Sequence, residues 1–279
     1  MAIAIVAALI FILLAGYFAT LQNVWVDEST QLLGSALPPG RMIAWLAGHP
    51  EPLGVPPDRM PPVSYAIDAL CGRSLCGTVL GFRLLHMAIA AAAIAALVLL
   101  AAWRYGWLSA VVAGALLTLT PQMVQTGVEI RAYPLFFAAT ILQIILLYRL
   151  IEREPLSSGG LIAFALAGVL AIYTHFFGVI SSSALFSGLI AARARSRREA
   201  LWIGGAWALV LLSAVGIAPF VMGASAISQG VENGGPPTPA AIATFLLRII
   251  GHSSMMLHPA LVAIFCLALG LLLLIAALR

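Results

Sequence analysis

The sequence predicts an all-α protein, a polytopic membrane helix bundle of about eight transmembrane helices with interfacial helices in its outer loops. Of the 279 residues, 62% are hydrophobic and only 9% are charged, far from the composition of a soluble domain. Apolar runs that are long enough, or nearly long enough, to cross a bilayer recur along the chain. The runs are 1–22, 82–102, 107–121, 133–150, 160–177, 177–192, 200–222 and 259–278. We expect them to form a single domain over residues 1–279.

The placement of positive charge predicts the orientation of these spans. The first run has no convincing cleavage site after it, so we expect a retained anchor. The short connections on the side of the N-terminus carry Arg104, Arg149, Arg153, Arg193, Arg195, Arg197, Arg198 and Arg279. This side is cytoplasmic by the positive-inside rule. The outer loops are then 23–81, 123–133 and 223–258.

The outer loops are too apolar to lie free in water. A cation among Trp, Ile and Leu at 40–47 predicts a short interfacial helix, and a second is expected at 239–250. Loop 23–81 also holds Cys71 and Cys76, a candidate disulfide in an oxidising compartment. We expect loop 223–258 to be a candidate cover for a site on this face.

Missing motifs exclude several classes of function. A chain without lysine has no phosphate-binding Gly-x-x-x-x-Gly-Lys loop, and no His-Glu-x-x-His, Cys-x-x-Cys or dinucleotide fingerprint occurs. The arginine run at 193–198 indicates topology, and no nucleic-acid binding is expected on a loop flush with the membrane. Any activity therefore uses the outer face.

The first candidate site residues are Asp27 and Glu28, the only adjacent acidic pair, directly after the first span. A carboxylate at the membrane surface serves as a general base or metal ligand when apolar surroundings raise its proton affinity. The alternative is a solvated pair that ends a span.

A second candidate group is Glu129, Arg131 and Tyr133, just before Pro134 opens the next span. Residues two apart share a face in an extended chain, so we expect the three side chains to point into one space. An arginine there can hold a phosphate through two parallel hydrogen bonds. The alternative is an interfacial Glu–Arg pair with a tyrosine of the aromatic belt.

Three further groups complete the candidates. Arg59 and Tyr65 flank the stiff Pro61-Pro62 pair, and His175 lies among aromatics at the outer end of a span. Arg248 and His252 are one helical turn apart, so both can face an anionic headgroup. The alternative for His175 is a residue of the aromatic belt at the membrane surface. The alternative for Arg248 and His252 is interfacial snorkelling, with the charged end of the side chain reaching the membrane surface.

The order of these motifs resembles the GT-C membrane glycosyltransferases, with protein mannosyltransferases and aminoarabinose transferases as kin. The resemblance covers about residues 20–220 and runs from Asp-Glu through Pro-Pro-x-x-Tyr, Phe-Arg-Leu and Glu-x-Arg-x-Tyr to Tyr-x-His-Phe-Phe-Gly. Two features depart from the family. Its members commonly continue past this length, and the Pro-Pro stretch has Arg59-Met60 where relatives often have a His and Ser64 where they have a second aromatic.

The resemblance implies transfer of a sugar from a polyprenyl-phosphate donor to a lipid, glycan or protein acceptor, usually with inversion. Asp27 would be the base with Glu28 beside it, Glu129 would assist, and Arg131 would stabilise the leaving phosphate. Tyr133, Arg248 and His252 would contact the donor phosphate, and Arg59, Tyr65 and His175 the substrates.

The expected location is a bacterial inner membrane, with the site facing the periplasm or exterior. The cofactor is open between a divalent cation and none. The competing interpretation is a non-catalytic GT-C-like subunit or a lipid-linked glycan translocase. A translocase usually needs ionisable residues within its spans, and the nearly charge-free spans therefore favour an enzyme.

Overall fold

A computed structural model describes residues 1–58, 60–152 and 154–222, and this part of the chain is helical without any strand. The predictions for Arg59, Arg248, His252, the loop 223–258 and the last run 259–278 lie outside the described residues. The α-helices are α1 Ala2–Leu21, α2 Val26–Ser35, α3 Pro39–Leu46, α4 Val63–Ser74, α5 Val79–Tyr105, α6 Trp107–Leu119, α7 Pro121–Val128, α8 Tyr133–Glu152, α9 Ser158–Thr174, α10 Gly178–Arg193 and α11 Arg197–Ser213.

Four helical segments are long and apolar enough to cross a membrane: α1, α5, α8 and the continuous stretch Arg197–Met222 that begins with α11. Helices α6 and α7 together make a fifth if the 62° bend between them is counted within one span. Helices α9 and α10 are apolar but shorter. The described residues therefore form a membrane-type helical bundle, and its four or five spans match part of the predicted eight.

Small residues allow the first helices to pack closely. Helix α1 buries four alanines and Phe11 against α5, which presents Ala90, Ala91 and Ile94. Small side chains let apolar helices approach within van der Waals contact, which drives association inside a bilayer. Gly127 of α7 is required at this contact, because an added Cβ would clash with the Phe11 ring. A second core joins α9, α10 and α11 around Phe164 and Phe186.

The loop between α1 and α5 folds into three short helices, α2, α3 and α4. Helix α3 matches the helix predicted at 40–47 within one residue at each end, and its interfacial position stays a prediction. Helices α2 and α4 were not predicted. The three helices pack around the buried rings of Trp45 in α3 and Tyr65 in α4, whose centroids are 5.8 Å apart. Gly34 leaves the space for both rings, since a Cβ there would overlap them. This packing fixes α2, which carries the acidic pair.

Candidate active site

The acidic pair lies in the first turn of α2, where consecutive side chains point about 100° apart. Glu28 points into the protein and is fully buried. Its carboxylate accepts hydrogen bonds from Arg83 Nη2 at 2.7 Å, Arg83 Nε at 3.3 Å and the Ile130 amide at 3.1 Å. These contacts hold the start of α2 in place. The catalytic role of Glu28, which the resemblance implies, stays a prediction.

Arg83 is the partner that holds Glu28. This buried side chain also donates to three backbone carbonyls at the end of α1, those of Ala19 at 2.9 Å, Gln22 at 2.8 Å and Asn23 at 3.2 Å. The last carbonyls of a helix lack partners within it, and a cation there satisfies them and complements the helix dipole. Arg83 thus joins α1, α2 and α5. This role was not predicted, although an arginine inside an apolar run is itself a signal of a buried partner.

A second buried network lies one helical turn further along both helices. Asp68 of α4 accepts from Gln31 Nε2 at 2.8 Å and contacts His86 Nε2 at 2.9 Å. All three side chains are almost completely buried. Glu28 and Gln31 share one face of α2, and Arg83 and His86 share one face of α5, because residues three apart are neighbours on a helix. The orientation of α2 is therefore held at two successive turns, by residues that sequence analysis did not select.

Asp27 is the member of the pair that stays available. Its residue is half-buried, and its carboxylate makes no hydrogen bond within the described part of the chain. Its backbone carbonyl accepts from Arg131 Nη1 at 3.3 Å, which brings two segments 104 residues apart together. The Asp27 carboxylate also lies within electrostatic range of Glu129 and Arg131.

Glu129 follows α7 with extended backbone and is only 3% exposed. Burial raises the pKa of its carboxyl to about 7, and the hydrogen bond that Gln125 Nε2 donates at 3.2 Å only partly opposes this. Glu129 therefore titrates near neutral pH, the range that suits a general acid or base.

Arg131 is 5% exposed and pairs with Asp58 through Nη1 at 2.5 Å. Burial disfavours the charged guanidinium, but the Asp58 carboxylate, together with Tyr65 and Asp27, outweighs burial and raises the pKa of Arg131. Among the described residues the salt bridge of Arg131 is with Asp58, whereas Glu129 and Arg131 interact only through their charges. Arg131 Nε is buried without a hydrogen-bond partner in the described structure, so the guanidinium retains unused donor capacity.

Tyr65 donates its hydroxyl hydrogen bond to the same Asp58 carboxylate. The tyrosine is completely buried, and its predicted contact with substrate stays a prediction. Burial, followed by the nearby Asp58 charge, keeps the pKa of the phenol well above its ordinary value. Tyr65 remains a donor and orients Asp58, which in turn orients Arg131.

Tyr133 and His175 meet beside this group. The predicted extended run is shorter than expected, because α7 continues to Val128 and Tyr133 already begins α8. The ring of His175 lies 5.5 Å from Tyr133 and close to Phe136 and Phe177. Its Nδ1 accepts from the Phe177 amide at 3.2 Å, and burial followed by the Arg131 charge lowers its pKa. His175 is therefore a neutral ring in an aromatic cluster.

Cys71 and Cys76 are joined by a disulfide in the structure, with Cα atoms 5.1 Å apart. The bond links the end of α4 to the connection that precedes α5. Across the described residues, no three His, Cys, Asp or Glu side chains form a group able to hold a metal ion.

We predict that Glu129→Gln stabilises the protein at pH 8 and not at pH 4. The carboxyl has a pKa of about 7 in the folded protein and 4.5 in its ordinary state, so the folded protein holds this proton more tightly. The contribution of the Glu129 carboxyl to the free energy of unfolding is fully present below pH 4.5. It is lost as pH rises through 7, a loss on the order of 1–3 kcal/mol.

Thermal unfolding in detergent between pH 4 and 8 measures this difference. Glu51→Gln is the control, since Glu51 pairs with the exposed Arg41, which lowers its pKa, and should show no gain at pH 8. If Glu129→Gln unfolded at the same temperature as the wild type at both pH 4 and pH 8, the raised pKa would be contradicted.

Comparison of the chain with protein-family models, curated proteins and solved structures gave no match. The order of the motifs and the geometry of the site are therefore what indicate a function.

Proposed function

We propose that this protein is an integral-membrane glycosyltransferase of the GT-C type. It moves a sugar from a polyprenyl-phosphate donor to an acceptor hydroxyl at the outer face through one inverting displacement. The observation that supports this most is the convergence of Asp27 with Glu129 and Arg131, from segments a hundred residues apart, at one end of an apolar bundle. The full proposal includes eight spans, a bacterial inner membrane and the loop 223–258 as a cover.

Asp27 is the base in this proposal. It takes the proton of the acceptor hydroxyl while the acceptor oxygen bonds to the anomeric carbon of the sugar. The contrast with Glu28 supports the choice, because Glu28 uses its oxygens on Arg83 and Ile130, whereas the Asp27 carboxylate is unengaged within the described residues. A general base must reach the proton it removes, and a half-buried carboxylate at the end of the bundle meets this condition.

Arg131 stabilises the leaving group. The bond between the anomeric carbon and the phosphate oxygen breaks, and its electron pair leaves with the lipid phosphate. A fixed guanidinium in a site shielded from water stabilises such developing charge strongly. The Asp58 contact holds Arg131 in place.

Glu129 and Tyr133 contribute from either side of Arg131. With a pKa of about 7, Glu129 is protonated in part of the molecules and can donate to a substrate oxygen. Arg248 and His252 would contact the donor phosphate and Arg59 the substrate; these three positions lie outside the described residues. A lipid-linked donor suits a site at the end of a membrane bundle, since the membrane itself delivers the substrate.

A complementation experiment in the source organism tests the proposal. Deletion of the gene should cause a polyprenyl-phosphate sugar to accumulate, and the wild-type gene should clear it. A gene encoding Asp27→Asn should not clear the lipid. A deletion strain with an unchanged lipid profile would overturn the proposal, and clearance by the Asp27→Asn variant would favour the translocase or subunit interpretation.

We predict that Arg131→Lys keeps donor affinity but lowers turnover, and that Arg131→Ala lowers both. Lysine retains the charge but not the paired hydrogen bonds, and leaving-group charge grows toward the transition state. We expect a loss of turnover of roughly tenfold to a thousandfold for Arg131→Lys.

Steady-state kinetics with a polyprenyl-phosphate sugar separates the two effects. Arg41→Lys is the matched control, because Arg41 belongs to the same outer loop but pairs with Glu51 at the surface. An Arg131→Lys variant with the turnover of the control would remove the phosphate role.

A further inference from the structure

The end of the bundle opposite the acidic site carries uncompensated positive charge. All three acidic residues there form ion pairs, namely Arg104–Glu152, Arg195–Glu154 and Arg193–Glu199. Arg149, Arg197 and Arg198 remain without a carboxylate partner in the part of the chain that the structure describes. This end therefore attracts anions, and we predict it to be the cytoplasmic end.

A cavity of about 350 Å³ opens beside Arg198 at this end. It lies between the connection from α8 to α9 and the first turns of α11. Its lining consists of Pro155, Leu156, Ser196, Arg198, Glu199 and Trp202. The Glu199 carboxylate is occupied by Arg193 at 3.4 Å and by the Arg195 amide at 3.0 Å. The guanidinium of Arg198 is thus the uncompensated charge of the cavity.

The surroundings of Arg198 are those of a membrane interface. Its guanidinium carbon lies 5.4 Å from the centre of the Trp202 ring, a cation–π contact that holds the cation without neutralising it. Trp202 is half exposed, and Leu201 beside it is 64% exposed. An amphipathic tryptophan next to exposed aliphatic side chains is typical of the level where headgroups meet acyl chains.

The start of α11 adds further donors. The Ser196 hydroxyl caps the helix by accepting from the Glu199 amide at 3.2 Å. The amides of Arg197 and Arg198 make no hydrogen bond among the described residues and carry the positive end of the helix dipole. A guanidinium, a hydroxyl and free amides around one cavity match the acceptor oxygens of a phosphate.

We propose that this cavity binds the phosphate of an anionic phospholipid whose acyl chains lie along the exposed apolar side of α11. The uncompensated arginines favour an anionic lipid over a zwitterionic one, because a choline headgroup would bring a second cation to the cavity. The exposed Leu201 and Trp202 favour a lipid over a free phosphate. This site does not depend on the proposed sugar transfer.

Native mass spectrometry of the full chain, released from nanodiscs of equal parts phosphatidylglycerol and phosphatidylcholine, tests the site. The wild type should retain phosphatidylglycerol about fivefold more than phosphatidylcholine, the factor expected for one arginine at an anionic surface. Arg198→Gln should abolish this preference. Arg149→Gln removes an equal charge from the same end but outside the cavity, and it should keep the preference.

Equal retention of the two lipids by the wild type would overturn the proposal. So would an equal loss of preference in Arg198→Gln and Arg149→Gln, which would indicate general surface charge. Displacement of the retained lipid by millimolar glycerol phosphate would overturn the choice of a lipid and assign the cavity to a free phosphate ester.

Discussion

Replacement of Asp27 by Asn should lower the rate of sugar transfer by roughly two to four orders of magnitude without changing the amount of folded protein. Asparagine keeps the size of the side chain but cannot take a proton from the acceptor hydroxyl. The fold should tolerate it, because the Asp27 carboxylate makes no hydrogen bond within the described residues, and its backbone contact with Arg131 is unchanged.

Turnover of a polyprenyl-phosphate sugar by purified protein, normalised to the folded fraction, measures this loss. Glu51→Gln is a suitable control, since Glu51 is an acid of the same predicted outer loop as Asp27 but pairs with Arg41 at the surface. Near-normal turnover in the Asp27 variant would remove the catalytic assignment and leave Glu129 as the remaining acid of the group.

The long helices were predictable because the length of an apolar run is a local property. The runs 1–22, 82–102 and 133–150 correspond to α1, α5 and α8 within about three residues at each end. Helices α2 and α4 escaped prediction because they are short and of mixed polarity. They depend on distant contacts, such as the packing of Gly34 in α2 against Trp45 and Tyr65, which no local pattern reveals.

The candidate site was only partly predictable, because some of its residues stand out locally in the sequence and others do not. Asp27, Glu129 and Arg131 stand out locally by charge next to apolar runs, and the structure brings them together. Their partners do not stand out: Asp58 lies 73 residues from Arg131, and Arg83 lies 55 residues from Glu28. A sequence pattern shows that a buried charge needs a partner, but it does not show which residue the fold brings to it.

Replacement of Arg83 by Ala should cost about 3–5 kcal/mol in the free energy of unfolding, the range measured when one member of a buried ion pair is removed. The Glu28 carboxylate would remain buried with only the Ile130 amide as a donor. The carbonyls of Ala19 and Gln22 would lose their side-chain donor as well. Because the same contacts hold the first turn of α2, any protein that still folds should also place Asp27 poorly and lose turnover.

Two comparisons show whether this loss comes from the buried charge. The double variant Glu28→Gln/Arg83→Met removes both charges at similar volume and should recover part of the stability. Arg41→Ala breaks a surface ion pair, which contributes little, and should leave the free energy of unfolding almost unchanged. Chemical unfolding in detergent measures all three variants. If Arg83→Ala were no less stable than Arg41→Ala, the bond between α2 and α5 would not be what holds Asp27 at the site, and its position would depend on the Asp68 network one turn further along.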